Sequence, residues 1–237
     1  MTKSLFDSFF SPEVIAFVTD ASVDFKLAQD QEDLTPLQKE YLSKKLRRSF
    51  LNILTVRQVH GKKIVHVKSG QIHPRPLLEA DGMVTSEKNV PLTVRTADCL
   101  SIFIFDPQKN CIGLIHAGWK GTHQNIAAAT LAMMQKEWGS DPQDLKVAFG
   151  PSIRSCCYEV GKEFEQYFPQ AMVRRDGQDF LNLPFVNRRQ LIDFGVLEKN
   201  ILDCEACTHC DEKYFSFRRE GEKAGRMISL MMLTGNL

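Results

Sequence analysis

Two apolar runs stand at the middle of the chain. Leu100–Phe105 and Cys111–Ile115 are rich in β-branched and aromatic residues, and Asp106-Pro107-Gln108-Lys109-Asn110 separates them. Short runs of this kind around a Pro/Asn/Asp cluster predict a β-hairpin. A turn closing on Pro107 and Gln108 pairs Phe103 with Ile112, Phe105 with Asn110 and Cys99 with His116. The rest of the hairpin is apolar, so a thiol and an imidazole are expected together at the rim of a core.

The other elements follow from the same patterning. Val14–Val18 predicts a strand. Leu37, Tyr41, Leu42, Leu46, Phe50 and Leu51 recur at helical spacing, and Thr35-Pro36 before them suits an N-cap and first turn, so a helix is expected from Thr35 to about Leu54. Its basic residues Lys44, Lys45, Arg47 and Arg48 read as a solvated face near the C-terminus. Val56–His60 and Lys63–Val67 predict two strands joined by a tight Gly61-Lys62 turn. Met83–Thr85 and Pro91–Thr93 flank a further turn. Thr122 is expected to cap a helix from His123 to Trp138 that stops at Gly139. Leu145–Phe149 predicts a buried strand, Gly161–Phe168 a helix, and Val186–Phe194 another with Asn182 or Asn187 near its start. Ile201-Leu202, Tyr214–Arg218 and Met227–Leu233 complete the expected strands. No repeat, low-complexity tract or linker divides the 237 residues, so one domain over 1–237 is expected.

Composition narrows the class without naming a function. With 43% hydrophobic and 25% charged residues the chain reads as a globular protein. A formal net charge of +1 gives no footprint for nucleic acid or an anionic membrane. No apolar run nears the roughly 18 residues of a membrane span, and the N-terminus lacks the layout of a signal peptide. The seven cysteines are odd in number and mostly inside apolar segments. That favours reduced thiols or metal ligands in a cytoplasmic protein over a disulfide framework. Monomer and homodimer both stay open.

Four groups carry candidate chemistry. Cys99, His116 and His60 form a set of donors that zinc selects, and three protein ligands leave a fourth position open, as in catalytic zinc sites. Ordinary hydrogen-bonded histidines, or a Cys nucleophile with a His base, are the other readings. His116-Ala-Gly-Trp-Lys-Gly-Thr122 joins a strand end, two glycines and a helix start, so the amides around Gly118 and the charge of Lys120 suit an anion. The spacing is not that of a Walker loop. Cys204-x-x-Cys207-x-x-Cys210, with His209 inside it, lacks the fourth cysteine of an iron–sulfur pattern. Plain loop thiols are expected there, with a structural zinc as the alternative. Phe215-Ser216-Phe217-Arg218-Arg219-Glu220 with Gly225-Arg226 offers arginines beside aromatics, which suits phosphate or carboxylate. Asp98, directly before Cys99, either orients a ligand or caps a turn.

Seven motifs in this order resemble one family. They are QVHG at Gln58–Gly61, ADG at Ala80–Gly82, TADC at Thr96–Cys99, HAGWKGT at His116–Thr122, GPSI…CCYEVG from Gly150 to Gly161, CT at Cys207-Thr208, and FSFRRE…GRM from Phe215 to Met227. Over about residues 50–237 the chain resembles the YfiH/YlmD proteins, also labelled laccase-domain or polyphenol oxidase proteins. The resemblance implies an α+β fold, a four-layer α/β/β/α sandwich with mixed sheets. It implies a single zinc on His60, Cys99 and His116, which would then also be the catalytic residues. It further implies phosphorolysis of purine nucleosides (adenosine, inosine and methylthioadenosine), with adenosine deaminase activity, so that nucleoside and phosphate are the expected partners. Lys120, Gly118 and Arg218 are the candidate phosphate contacts. The alternatives are a copper-dependent polyphenol oxidase and a Cys/His hydrolase acting on a peptidoglycan precursor. Six histidines, only His60 and His116 of them in the motifs, are too few for a multicopper centre. The chain departs from the family's usual pattern twice. FVTDASVDFKLAQD has no glycine where a Gly-rich stretch is usual, and Arg154-Ser155 replaces a Gly-Pro.

Overall fold

The computed structural model describes residues 6, 8–27, 33–46, 53, 55–68 and 77–235. In chain order the strands and helices are β1 (Val14–Val18), α1 (Pro36–Leu46), β2 (Ile64–His66), β3 (Gly82–Thr85), β4 (Leu92–Thr96), β5 (Leu100–Asp106), β6 (Cys111–Ala117), α2 (Trp119–His123) and α3 (Ile126–Trp138). There follow β7 (Lys146–Phe149), β8 (Glu159–Val160), β9 (Met172–Arg175), β10 (Gln178–Leu181), α4 (Leu183–Phe194), β11 (Ile201–Asp203), α5 (Phe217–Glu220) and β12 (Met227–Leu233).

The expected hairpin is the antiparallel pair β5–β6 at the centre of a six-stranded mixed sheet ordered β11-β7-β5-β6-β3-β2. Its register differs from the expected one. Phe103 faces Leu114 and Ser101 faces His116, because the turn spans 107–110 and not two residues. The Asp106 carboxylate accepts the amides of Gln108 and Lys109, and Asn110 takes the left-handed conformation with φ 50°. A slip of two residues leaves every side chain on its expected face.

Alternation along the strands sorts the apolar residues into separate clusters. Leu100, Ile102 and Ile104 of β5 pack with Ile126, Leu131 and Met134 of α3 and Leu183 and Leu191 of α4. Phe103 and Phe105, one residue out of phase, pack with Leu92 and Val94 of β4 and Met231 and Leu233 of β12. Those last two strands and β1 form a three-stranded antiparallel sheet, β1-β12-β4. The opposite face of β12, Ile228, Leu230 and Met232, packs with Leu42 and Leu46 of α1. Both central sheets are thus buried on two faces, which is why β5, β6 and β12 read as continuous apolar runs. The result is a mixed α+β fold. A small third sheet, β8-β10-β9, lies beyond it.

Several expectations change. The helix begins at Pro36 under a reciprocal cap, in which Gln38 N donates to Thr35 Oγ1 and Thr35 N donates to Gln38 Oε1. It ends at Leu46, and its expected continuation through 47–52 and 54 lies outside the described residues. Val56–His60 is not a strand: only Arg57 makes a bridge, to Glu79, and β2 runs parallel to β3, so Gly61-Lys62 closes no hairpin. Thr122 does not cap the long helix. It lies buried in α2, and α3 starts after Asn125, whose φ of 62° breaks the two apart. Residues Lys162–Gln166 form a 3-10 turn instead of an α-helix, and the expected strand at Tyr214–Arg218 is loop leading into α5, capped by Ser216 accepting the Arg219 amide.

Candidate metal centre

His60, Cys99 and His116 come from three separate stretches and converge. One donor atom from each lies within 4.8 Å of the others. His116 is the penultimate residue of β6 and is buried, Cys99 directly precedes β5, and His60 is exposed on the loop before β2. The two imidazole centroids are 4.8 Å apart.

Asp81 organises this convergence. Its carboxylate is fully buried and accepts the amides of Val59 (3.2 Å), His60 (3.0 Å) and Gly61 (2.7 Å). It also accepts Nδ1–H of His116 at 2.8 Å, which turns Nε2 of that ring toward the thiol. The three amide bonds hold His60 in a left-handed conformation, φ 59°, that a histidine seldom adopts unsupported. Burial pushes the Asp81 carboxyl up, but the His116 ring and the amides outweigh it and hold the pKa below its ordinary value.

Glycine permits the close approach. A Cβ on Gly118 would sit 3.1 Å from both Cys99 Sγ and His60 Cδ2, and one on Gly121 would sit 2.8 Å from the Gly61 carbonyl oxygen. The two glycines of the HAGWKGT motif therefore admit the His60 loop. Lys120 is exposed, with its ammonium 5.6 Å from the Trp119 ring centroid, and is not among the residues lining the adjacent cavity.

Electrostatics favour a ligating thiolate. Burial pushes the Cys99 thiol up, yet His116 and His60 outweigh it and draw its pKa down. Burial pushes His116 down, yet Cys99 and Asp81 draw it up. A soft anion flanked by two imidazoles, with an oriented carboxylate behind one of them, fits a divalent metal of borderline softness.

The centre opens into a cavity of about 630 Å³. Arg95, Arg218 and Arg226 line it, and among the described residues none of the three guanidiniums has a carboxylate partner. Arg95 is held by the Val56 carbonyl (3.0 Å) and the Thr55 hydroxyl. Arg218 donates to the Glu159 carbonyl at 2.8 Å and stacks over Tyr158. Arg226 donates to the Ala224 and Gly225 carbonyls and lies over Phe217. Burial, then the nearby Arg226 charge, pulls Arg95 down to about 10, so the guanidinium stays charged at neutral pH. Burial and then the Cys99 thiolate push the Tyr158 phenol up, keeping it a hydrogen-bond donor. Among the described residues, Asp98 hydrogen-bonds no histidine. Its carboxylate accepts the Thr208 hydroxyl at 2.6 Å and the Arg218 amide at 2.7 Å, tying two distant loops to Cys99.

A family model described as multi-copper polyphenol oxidoreductase laccase matches residues 22–234. The chain belongs to this laccase-domain family. It is 39% identical over 158 residues to a purine nucleoside phosphorylase of Aquifex aeolicus (strain VF5), a match covering 67% of this chain and 73% of that one. It is 30% identical over 208 residues to purine nucleoside phosphorylase YlmD of Bacillus subtilis (strain 168), covering 81% and 75%. The crystal structure of the Bacillus licheniformis hypothetical protein YfiH is similar at a TM-score of 0.85 and 28% identity, covering 94% of each chain.

Against the laccase-domain pattern, the two departures now have locations. Arg154 forms a two-pronged ion pair with Asp203 at 2.8 and 2.7 Å. The glycine-free stretch supplies Lys26 and Leu27 to the cavity wall. Sequence reasoning missed Asp81, Arg95 and Tyr158 as parts of the site, whereas Arg226 was among the arginines beside aromatics that it singled out. Asp81 had a signal, as an acidic residue in a motif just before a buried strand. Arg95 had none, since it sits inside a mostly buried strand, between Val94 and Thr96.

Proposed function

We propose that this chain is a metal-dependent purine nucleoside phosphorylase acting on adenosine, inosine and methylthioadenosine. One observation carries the reading: three side chains able to hold a metal open into the same cavity as three guanidiniums without carboxylate partners. In phosphorolysis a phosphate oxygen attacks C1′ of the sugar as the bond to the purine nitrogen breaks. The base leaves with the bonding electrons and takes up a proton, and the sugar leaves as its 1-phosphate. Arg218, Arg95 and Arg226 are suited to holding the phosphate dianion, because fixed guanidiniums bind tetrahedral anions through paired N–H groups. Tyr158, kept protonated, is a donor for the substrate. Trp119, packed on Phe164 at 5.1 Å between centroids, offers an aromatic wall for the purine. The amides near Gly118 remain a phosphate contact in this reading, whereas Lys120 would act only through long-range charge.

His60, Cys99 and His116 would hold the metal; their mixed N and S donors accept zinc and copper alike, and the non-redox chemistry proposed calls for zinc, which has no redox reaction of its own. Bound there, zinc supplies a Lewis acid at the end of the cavity. The same centre suits adenosine deamination, in which water replaces the purine amino group as ammonia. Relatives named purine nucleoside phosphorylase at 30–39% identity support an enzyme of this kind. Seven free cysteines suit a cytoplasmic protein, and no helix among the described residues is long and apolar enough to cross a membrane.

A multicopper oxidase is disfavoured by the histidines themselves. Among the described residues His66 bonds Glu137, and His123 packs on Tyr167 and Phe168, so only His60 and His116 converge. The Cys99–His116 contact favours a Cys/His hydrolase as the second reading. Zinc-loaded protein incubated with adenosine and phosphate is expected to yield adenine, ribose 1-phosphate and inosine by chromatography. Absence of all three products at full zinc loading would overturn the proposal. Hydrolysis that persists without metal and stops on Cys99 alkylation would favour the hydrolase.

A further inference from the structure

Away from the His60 centre, Cys156, Cys157, Cys207 and Cys210 bring four sulfurs together, all within 4.8 Å of one another. We propose that these four cysteines form a second, closed metal site that takes one zinc ion and clamps two loops of the cavity wall. The reading stands apart from the phosphorylase proposal, because it concerns a different donor set.

The backbone builds the cluster from two segments. The loop after β7 carries Cys156 and Cys157, and the loop after β11 carries Cys207 and Cys210. They meet through a parallel bridge in which Ser152 N donates to Ala206 O (3.2 Å) and Thr208 N donates to Ser152 O (3.1 Å). Tight turns aim each pair of sulfurs. Cys157 N and Tyr158 N both donate to Arg154 O, and Asp211 N donates to Cys207 O. Cys204 is excluded: its sulfur lies 3.8 Å from the Arg154 guanidinium. The C-x-x-C-x-x-C spacing therefore contributes only its last two members, and the adjacent pair 53 and 54 positions earlier supplies the rest.

The distances match one ion. A tetrahedron of zinc–sulfur bonds of about 2.3 Å has sulfur–sulfur edges of about 3.8 Å. Cys156 Sγ is 3.7 Å from Cys210 Sγ, and Cys157 Sγ is 3.2 Å from it. These are far longer than a disulfide bond of about 2.05 Å, so the sulfurs are gathered without being joined. Four soft sulfur donors around a single-ion volume select zinc, whereas a cluster of several irons needs them spread wider.

The surroundings suit the double negative charge of a zinc tetrathiolate. The backbone amides of Cys210 and Arg154 stand near the Cys207 sulfur. Arg154 stands beside Cys204 and Cys207, and Arg175 donates to the Cys156 carbonyl at 3.0 Å. Such outer hydrogen bonds orient metal ligands and offset their charge. Four protein ligands leave no open position, as in structural zinc sites.

The clamp sits next to the candidate active site. Tyr158, which lines the cavity, directly follows Cys157. Thr208, whose hydroxyl holds Asp98 next to Cys99, directly follows Cys207. One ion would thus fix both the phenol and the loop that presents Cys99.

The test uses the full chain purified without chelators, with metal counted by plasma mass spectrometry. About two zinc ions per chain are expected, falling to about one in C156S/C210S and staying at about two in C204S. If the double variant does not fold, the same question is asked of H60A/C99A loaded with cobalt(II). A sulfur-to-cobalt charge-transfer band and intense visible bands of a tetrahedral tetrathiolate are expected there, and titration of four thiols with a mercurial should abolish them. A zinc count unchanged in folded C156S/C210S, cobalt spectra without the thiolate band, iron in place of zinc, or a disulfide among the four in freshly purified protein would each overturn the proposal.

Discussion

Replacing Asp81 with Asn removes the charge that four donors share while preserving the shape of the side chain. The carboxylate accepts three backbone amides and the His116 ring. Asparagine keeps one acceptor oxygen, now uncharged, and turns an amide NH₂ toward the other donors, so all four lose the charge and two lose their acceptor altogether. At roughly 1.5–3 kcal/mol for each such bond, the cost is about 3–6 kcal/mol. Part of it falls on the fold, where the whole loss would lower Tm by roughly 6–24 °C in a chain of this length. The rest falls on the metal centre, since His60 loses the bonds that hold its left-handed backbone and His116 loses its orienting partner. Loss of such an outer partner lowers metal affinity about 10- to 100-fold. Competition against a chromophoric chelator measures the affinity, and a thermal melt of the metal-free protein measures the fold. The pH dependence gives a further check. Asp81 is held below its ordinary carboxyl range, so its contribution is fully present above that range and is lost as pH falls through the lowered value. D81N should remove that acid-sensitive part of the stability curve. A variant with Tm within about 2 °C of the parent and affinity within about twofold would refute the role assigned to Asp81.

Three other outcomes follow from the geometry. Arg218→Ala should raise KM for phosphate by roughly 10- to 100-fold, the worth of one charged hydrogen bond, with Arg218→Lys partly restoring it; steady-state kinetics with varied phosphate decide, and an unchanged KM removes Arg218 from the phosphate site. Gly121→Ala would place a methyl 2.8 Å from the Gly61 carbonyl, so the His60 loop must shift despite the better helix propensity of alanine; a net loss of about 1–3 kcal/mol in denaturant melts is expected, and a stabilised variant would contradict the contact. In metal-free protein, iodoacetamide should modify Cys99 at pH values below the ordinary thiol range and spare Cys111, which burial pushes up to about 12. Zinc should protect Cys99, and mass spectrometry showing equal labelling with and without zinc would argue against its ligation.

By itself the sequence determined what depends on neighbours along the chain. The β5–β6 hairpin, the Thr35 cap, the left-handed Gly139 stop after α3 and the apolar run of β12 are set by residues a few positions apart, and the structure has them all. The donor types of the metal centre were legible too, because Cys99 and His116 bracket a hairpin that must bring its open ends together. The four-residue turn fixed by Asp106 and the Ser216 cap that draws 217–220 into a helix are local as well, and the alternation of apolar residues alone does not show them. Tertiary structure decided everything that rests on long-range meeting. The buried carboxylate of Asp81 joins amides 20–22 residues earlier to an imidazole 35 residues later. Arg95 and Arg226 come together only because β4 and β12 are neighbours in one sheet. Cys156 and Cys157 reach Cys207 and Cys210 only because Ser152 pairs with Cys207. No local pattern encodes these contacts, since the free energy that holds them comes from burying both faces of the central sheets.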